Sequence, residues 1–128
     1  MRTLRIFTLS LLVAAPVTVS ACRSGNSYDI ANRQANDAML VVENQNFSDV
    51  DVYALSSGLP TRVGTVPGNT TLRFSLSSTL ISAIDFRLIA APIGGNGRGS
   101  SGALIVGAGQ TIKFTIAPVL NQSFAQIL

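Results

Sequence analysis

Thr71-Leu72-Arg73-Phe74-Ser75-Leu76 and Thr111-Ile112-Lys113-Phe114-Thr115-Ile116 obey one rule: a large apolar side chain at every second position, with hydroxyl-bearing or charged residues between. A period of two sorts these side chains onto opposite faces of a β-strand, one dry and one wet. The same rule extends outward along the chain. Ile84, Phe86, Leu88 and Ala90 alternate with polar Asp85 and Arg87, and Val50, Val52 and Ala54 alternate with Asp49, Asp51 and Tyr53. Met39-Leu40-Val41-Val42 is apolar on both faces, as a central or covered strand requires. With turn residues as punctuation, seven strands are predicted at residues 38–44, 49–56, 61–66, 70–76, 84–91, 102–107 and 110–117. The expected fold class is all-β: a two-sheet antiparallel sandwich of about seven strands, immunoglobulin-like or transthyretin-like in architecture.

The connections fit that reading. Pro60, Pro67, Pro92 and Pro118 fall at inferred strand ends or turns, where a missing amide hydrogen harms a ladder least. Glu43 to Asn46, Ser57 to Pro60, Pro67 to Asn69 and Gly107 to Gly109 read as turns. The stretch Ser77 to Ser82 is expected to cross between the sheets, with Leu80 and Ile81 plugging one end of the core. Val119 to Leu128 carries five large apolar residues and suits an eighth strand, a lid over the core or a contact patch. No helical periodicity follows the first apolar run.

That first run lies at the N-terminus. Arg2 and Arg5 precede an apolar stretch from Ile6 to Val19, which leads to the small residues Ser20 and Ala21 and then to Cys22. A charged start, an apolar middle and a small-residue exit make a secretory signal peptide. The run is shorter than the ~20 residues of a spanning helix and contains Pro16, which disfavours a permanent anchor. Val19-Ser20-Ala21-Cys22 resembles the lipobox of bacterial lipoprotein precursors. The resemblance implies cleavage before Cys22, a diacylglycerol on its sulfur and a palmitate-type acyl group on the new amine. Two or more chains hold a protein stably to a bilayer where one binds marginally. Arg23 stands where inner-membrane lipoproteins often carry Asp, so the resemblance implies the outer membrane, with the domain in the periplasm or at the cell surface. The predicted organisation is a signal peptide at 1–21, a flexible tether at 22–37 and a sandwich at 38–128. The tether, RSGNSYDIANRQAND after the cysteine, is too polar to bury a core and has a root-mean-square reach of about 20 Å. A short helix over Asp29 to Ala38 is its competing reading.

Composition narrows the chemistry. Without residues 1–21, 107 residues remain, enough for one small domain. Seven basic residues then face six acidic ones, so the +3 of the full chain shrinks to a formal +1. That lacks the basic footprint of a nucleic-acid binder, and no nucleic-acid partner is expected. The chain has no His and no Trp, and its single Cys is assigned to lipid. A disulfide, the usual zinc and copper ligands, and Ser-His or Cys-His nucleophiles are therefore all missing. No metal, no small-molecule cofactor and no enzymatic activity are expected.

Two constellations remain as candidate sites. Ile93-Gly94-Gly95-Asn96-Gly97-Arg98-Gly99-Ser100-Ser101-Gly102 fails as a P-loop, because no Gly-Lys-Ser/Thr occurs and a strand follows; it reads as a mobile loop, with Gly97, Arg98 and Gly99 its binding tip. Asp49 and Asp51 lie on one strand face, open to a shared proton, a hard cation or carboxylate catalysis, though solvent-facing charges offset by Arg62, Arg73 or Arg87 explain them as well. Exposed aromatic rings are too few for a sugar-stacking row, only Tyr28 and Tyr53 being expected outside the core. The Asn-x-Ser/Thr matches at Asn46, Asn69 and Asn121 carry little weight in a bacterial lipoprotein.

The reading that results is a non-enzymatic, lipid-anchored envelope protein, held to the membrane through Cys22 and presenting its sandwich to another envelope component. Asn44 to Tyr53 also resembles strand-turn-strand openings of small bacterial lipoproteins without an assigned role. The layout is similar to assembly lipoproteins of type VI secretion outer-membrane complexes, which would imply a large inner-membrane partner. A carboxylate-dependent enzyme using Asp49, Asp51 or Arg98 is the third alternative.

Overall fold

The computed structural model of the chain describes residues 35–128. The predicted signal peptide, Cys22 and the tether as far as Gln34 lie outside the described residues. Of the rest of that tether, Ala35 and Asn36 are helical, and Asp37 is already part of the domain. Its carboxylate accepts from the Ser78 backbone N–H at 3.1 Å and from the Ser75 hydroxyl at 3.4 Å.

Eight strands form two sheets. They are β1 (Ala38–Asn44), β2 (Val50–Ser56), β3 (Leu59–Val66), β4 (Thr71–Leu76), β5 (Arg87–Pro92), β6 (Gly99–Ser100), β7 (Thr111–Ile116) and β8 (Phe124–Ile127). One sheet has the order β4-β1-β7-β8 and the other β3-β2-β5-β6. A one-turn helix, α1 (Ser78–Ile81), carries the chain from the first sheet to the second, with Ile81 buried and Leu80 half-buried at the core's end, as the sequence suggests. The core lies between the sheets. Leu40, Val42, Leu76, Ile112, Phe114 and Ile116 meet Val50, Val52, Val66, Phe86, Leu88 and Ala90, and each except Ala90 contributes about 1.5–3 kcal/mol through removal from water.

The all-β sandwich stands, with four departures. The β1–β7 pair is parallel, Met39 opposite Thr111 through Asn44 opposite Ile116, whereas an antiparallel sandwich was expected. Alternation has the same period in either direction, so side-chain pattern cannot tell the two apart. The predicted strand at 84–91 begins only at Arg87, because the Phe86 N–H closes a turn onto the Ala83 carbonyl at 3.3 Å. Ile84, assigned to the core, is 96% exposed in that turn. The predicted strand at 102–107 is absent. The ladder forms earlier, at Gly99–Ser100, and Gly102 breaks it with φ +74°. The chain still follows β5, with Ser101 N–H on Leu88 O at 3.0 Å and Leu104 N–H on Phe86 O at 2.8 Å. Finally, Leu72 of β4 faces the core side but stays 38% exposed, since β4 is an edge strand. The last residues form the eighth strand, antiparallel to β7.

One buried polar side chain fastens an end of the sandwich. Asn44 ends β1 at 1% exposure, on the inward phase of Leu40 and Val42. Its Nδ2 donates to Ser48 O at 2.9 Å and to Val66 O and Pro67 O at 3.1 Å, while its Oδ1 accepts from Asn46 N–H at 2.9 Å. This ties the β1–β2 turn in one sheet's connection to the β3–β4 turn beside it.

Candidate functional site

The sandwich has two ends. At one lie the starts of β1 and β7 and the turns at 57–58, 82–86 and 101–110; at the other lie the loops at 45–49, 67–70, 93–98 and 117–123. Gly97, Arg98 and Gly99 belong to the second end, opposite the point where the chain enters the domain.

The loop at 93–98 is held at both its ends. Ile93 N–H donates to Asp49 O at 2.9 Å. Gly99 is buried against the 3-10 turn Leu120–Gln122: an added Cβ would sit 2.7 Å from Ser123 Oγ and 2.9 Å from Leu120 O. Gly99 is thus a packing residue, and Gly97, at φ +123°, is a bend. Gly99 pairs with Ala90, which sets Arg98 beside Ala91 on the outer face of the β3-β2-β5-β6 sheet.

Arg98 there borders two depressions. One, of about 480 Å³, crosses the outer sheet face and is lined by Tyr53, Leu55, Pro60, Ile89, Ala91 and Arg98. Its floor is apolar because the outward phase of β2 and β5 turns from Asp51 to Tyr53 and Leu55, and to Ile89 and Ala91. The other, of about 440 Å³, opens at the loop end between Asn46, Asn96, Arg98, Val119 and Asn121. Phe47, at 86% exposure, projects from the turn beside it. Arg98 is exposed and makes no ion pair among the described residues. An arginine over an apolar floor offers a carboxylate or phosphate a forked set of donors while the floor holds apolar groups. Tyr53, expected to be exposed, is half-buried. Leu55 and Ile89 were missed as floor residues, although apolar residues on the outward phase were their signal.

Asp49 and Asp51 do not form a common site. Asp49 accepts from Gly68 N–H at 3.0 Å, and Asp51 takes Arg62 Nη2 at 2.8 Å together with the Thr65 hydroxyl. Those bonds, Thr65's first and then Arg62's, hold the Asp51 carboxyl below its ordinary range, and the bond to Asp51 raises Arg62. Both groups are thereby committed to their charged, paired forms. Among the described residues no cluster of three or more His, Cys, Asp or Glu could hold a metal ion, and no helix is long and apolar enough to cross a membrane.

No protein-family model and no curated protein matches the chain. Among solved structures it is similar to the NMR structure of a protein from Eubacterium rectale, at TM-score 0.42 and 14% identity, over 73% of this chain and 87% of that one.

Proposed function

We propose that this protein is a lipid-anchored, non-catalytic binding module of a bacterial envelope, moored to the outer membrane by acyl chains on Cys22, with its domain in the periplasm. The surface around Arg98 grips an envelope partner that offers an anionic group next to apolar side chains. The lipobox residues Val19 to Cys22 support the anchor, and the absence of His and of a second Cys supports a non-catalytic role. The observation that carries the binding reading is Arg98, an exposed cation without an anionic partner among the described residues, bordering both the apolar sheet face and the loop-end cleft.

Two measurements test it. Mass spectrometry of the mature protein is expected to find Cys22 as an acylated N-terminal residue; a free thiol there, or residues 1–21 still attached, overturns the anchor. A photo-crosslinking side chain at exposed Val119 is expected to capture one envelope partner in intact cells, and Arg98→Glu to abolish that capture. Capture unaffected by the reversal of charge overturns the assignment of Arg98.

A further inference from the structure

Besides the C-terminal Leu128, three large aliphatic side chains stand in water at the end of the sandwich where the chain enters: Leu59 at 72% exposure, Ile84 at 96% and Ile105 at 88%. They belong to the start of β3 and to two separate connections, and hydrogen bonds link those parts of the chain. The Ser57 N–H, at the tip of the β2–β3 hairpin that leads into Leu59, donates to Asp85 Oδ1 at 3.0 Å, next to Ile84. The Leu104 N–H, next to Ile105, donates to Phe86 O at 2.8 Å. Nothing about the fold demands these exposures, since the core is closed beneath them by Ile81, Phe86 and Val106, all buried. A group of exposed branched aliphatics on loop tips marks a surface built for an apolar contact.

The length of chain outside the structure identifies the contact. Ala35 lies at this same end, its carbonyl oxygen 3.3 Å from where a Cβ on Gly109 would sit. Cys22 is 13 residues before Ala35, a span of about 45 Å at full extension. The anchor point is therefore within reach of this end, which is nearer to it along the chain's path than the other end by the length of a strand, about 23 Å for the seven residues of β1. The opposite end, with Arg98 and Phe47, is separated from it by the length of the strands.

We infer that Leu59, Ile84 and Ile105 dip into the lipid surface to which Cys22 is anchored, so that the domain stands on the membrane with its Arg98 end directed away. This rests on the acylated cysteine proposed above. The acyl chains hold the protein to the bilayer, and the three tips set its orientation by placing apolar side chains at the acyl boundary.

The chain's lone cysteine makes the test direct, because acylation leaves no free thiol. Ile84→Cys, Ile105→Cys and, as the far-end control, Phe47→Cys are each labelled with an environment-sensitive dye in the full-length acylated protein. The proteins are then reconstituted into vesicles of phosphatidylethanolamine and phosphatidylglycerol. Emission at positions 84 and 105 is expected to rise several-fold and shift to the blue relative to detergent-free buffer controls, while position 47 stays water-like. Adding Ile84→Asp is expected to return the dye at 105 to its aqueous emission. Both positions are exposed, so neither change threatens the fold. Water-like emission at 84 and 105 from protein that floats with the vesicles overturns the inference and leaves the anchor intact. If Cys22 itself takes the dye and the protein fails to float, the anchor falls, and the membrane contact falls with it.

Discussion

Asn44 gives the sharpest quantitative expectation. Asn44→Ala removes two N–H donors shared among three carbonyl oxygens and one acceptor used by Asn46 N–H, at a position 1% exposed. At about 0.5–1.5 kcal/mol for each hydrogen bond, the loss is about 2–4 kcal/mol. A domain of this size holds about 5–14 kcal/mol in all. The melting temperature should fall by about 10–25 °C. Asn44→Asp keeps the shape but points a carboxylate at carbonyl oxygens, which costs about 3–5 kcal/mol at neutral pH. Burial and the facing carbonyls raise the folded-state pKa of that Asp above its unfolded value. The folded variant then binds a proton that the unfolded chain does not, so its stability recovers as pH falls from 7 towards about 4. Urea unfolding of the chain from residue 23 onward, followed by far-UV circular dichroism at pH 7.5 and 4.5, reads both effects. A loss below about 0.5 kcal/mol for Asn44→Ala, or an Asn44→Asp loss indifferent to pH, would refute the role given to this side chain.

Other positions are testable in the same assay. Phe114→Ala, at a fully buried ring, should cost about 3–5 kcal/mol, read as a large drop in the urea midpoint. Gly99→Ala forces a methyl onto Ser123 Oγ and Leu120 O and should cost about 1–3 kcal/mol, with the loss seen as a lower urea midpoint. Acid should weaken the parent protein: Glu43, held low by its hydrogen bonds to Lys113 (2.7 Å) and Gln45, and Asp51, held low by Thr65 and Arg62, add stability above their unfolded pKa values. That part is lost as pH falls through the lowered folded values, below about pH 4. Because both pairs are exposed to solvent screening, each contributes only weakly. Asp51→Asn should flatten the midpoint-against-pH curve in that range, and an unchanged slope would remove Asp51 from the account.

What the sequence disclosed and what it hid follow from range. The inner faces of β2 and β7 were legible, since Val50-Val52-Ala54 and Ile112-Phe114-Ile116 need only local alternation and are all buried. Ile84 continued an alternating run yet lies outside it, because a turn closed by Ala83 and Phe86 outranks the pattern. Residues 102–107 look like a strand, but the positive φ at Gly102 ends the ladder before them. Asn44 was read as turn punctuation; its inward phase with Leu40 and Val42 was the sign of a buried polar hub, and its partners at Val66 and Pro67 are too distant along the chain for local reading. The same limit applied to the candidate site. Arg98 stood out by its glycines, whereas its floor on β2 and β5 required knowing that those two strands pair. Whether Gly99 packs or moves depended on Leu120 and Ser123, which no local pattern connects to it.

The parallel β1–β7 pair has a mechanical side. β1 is the first strand after the entry point, and it is stitched on both flanks, to β4 through six residue pairs and to β7 through six more. A tug arriving through Ala35 finds no outermost strand to peel away, and must shear two ladders together before the domain can be drawn apart. Moored through Cys22 as proposed, the domain would be loaded along its most doubly paired strand, with the short outermost strand β8 left off the line of pull.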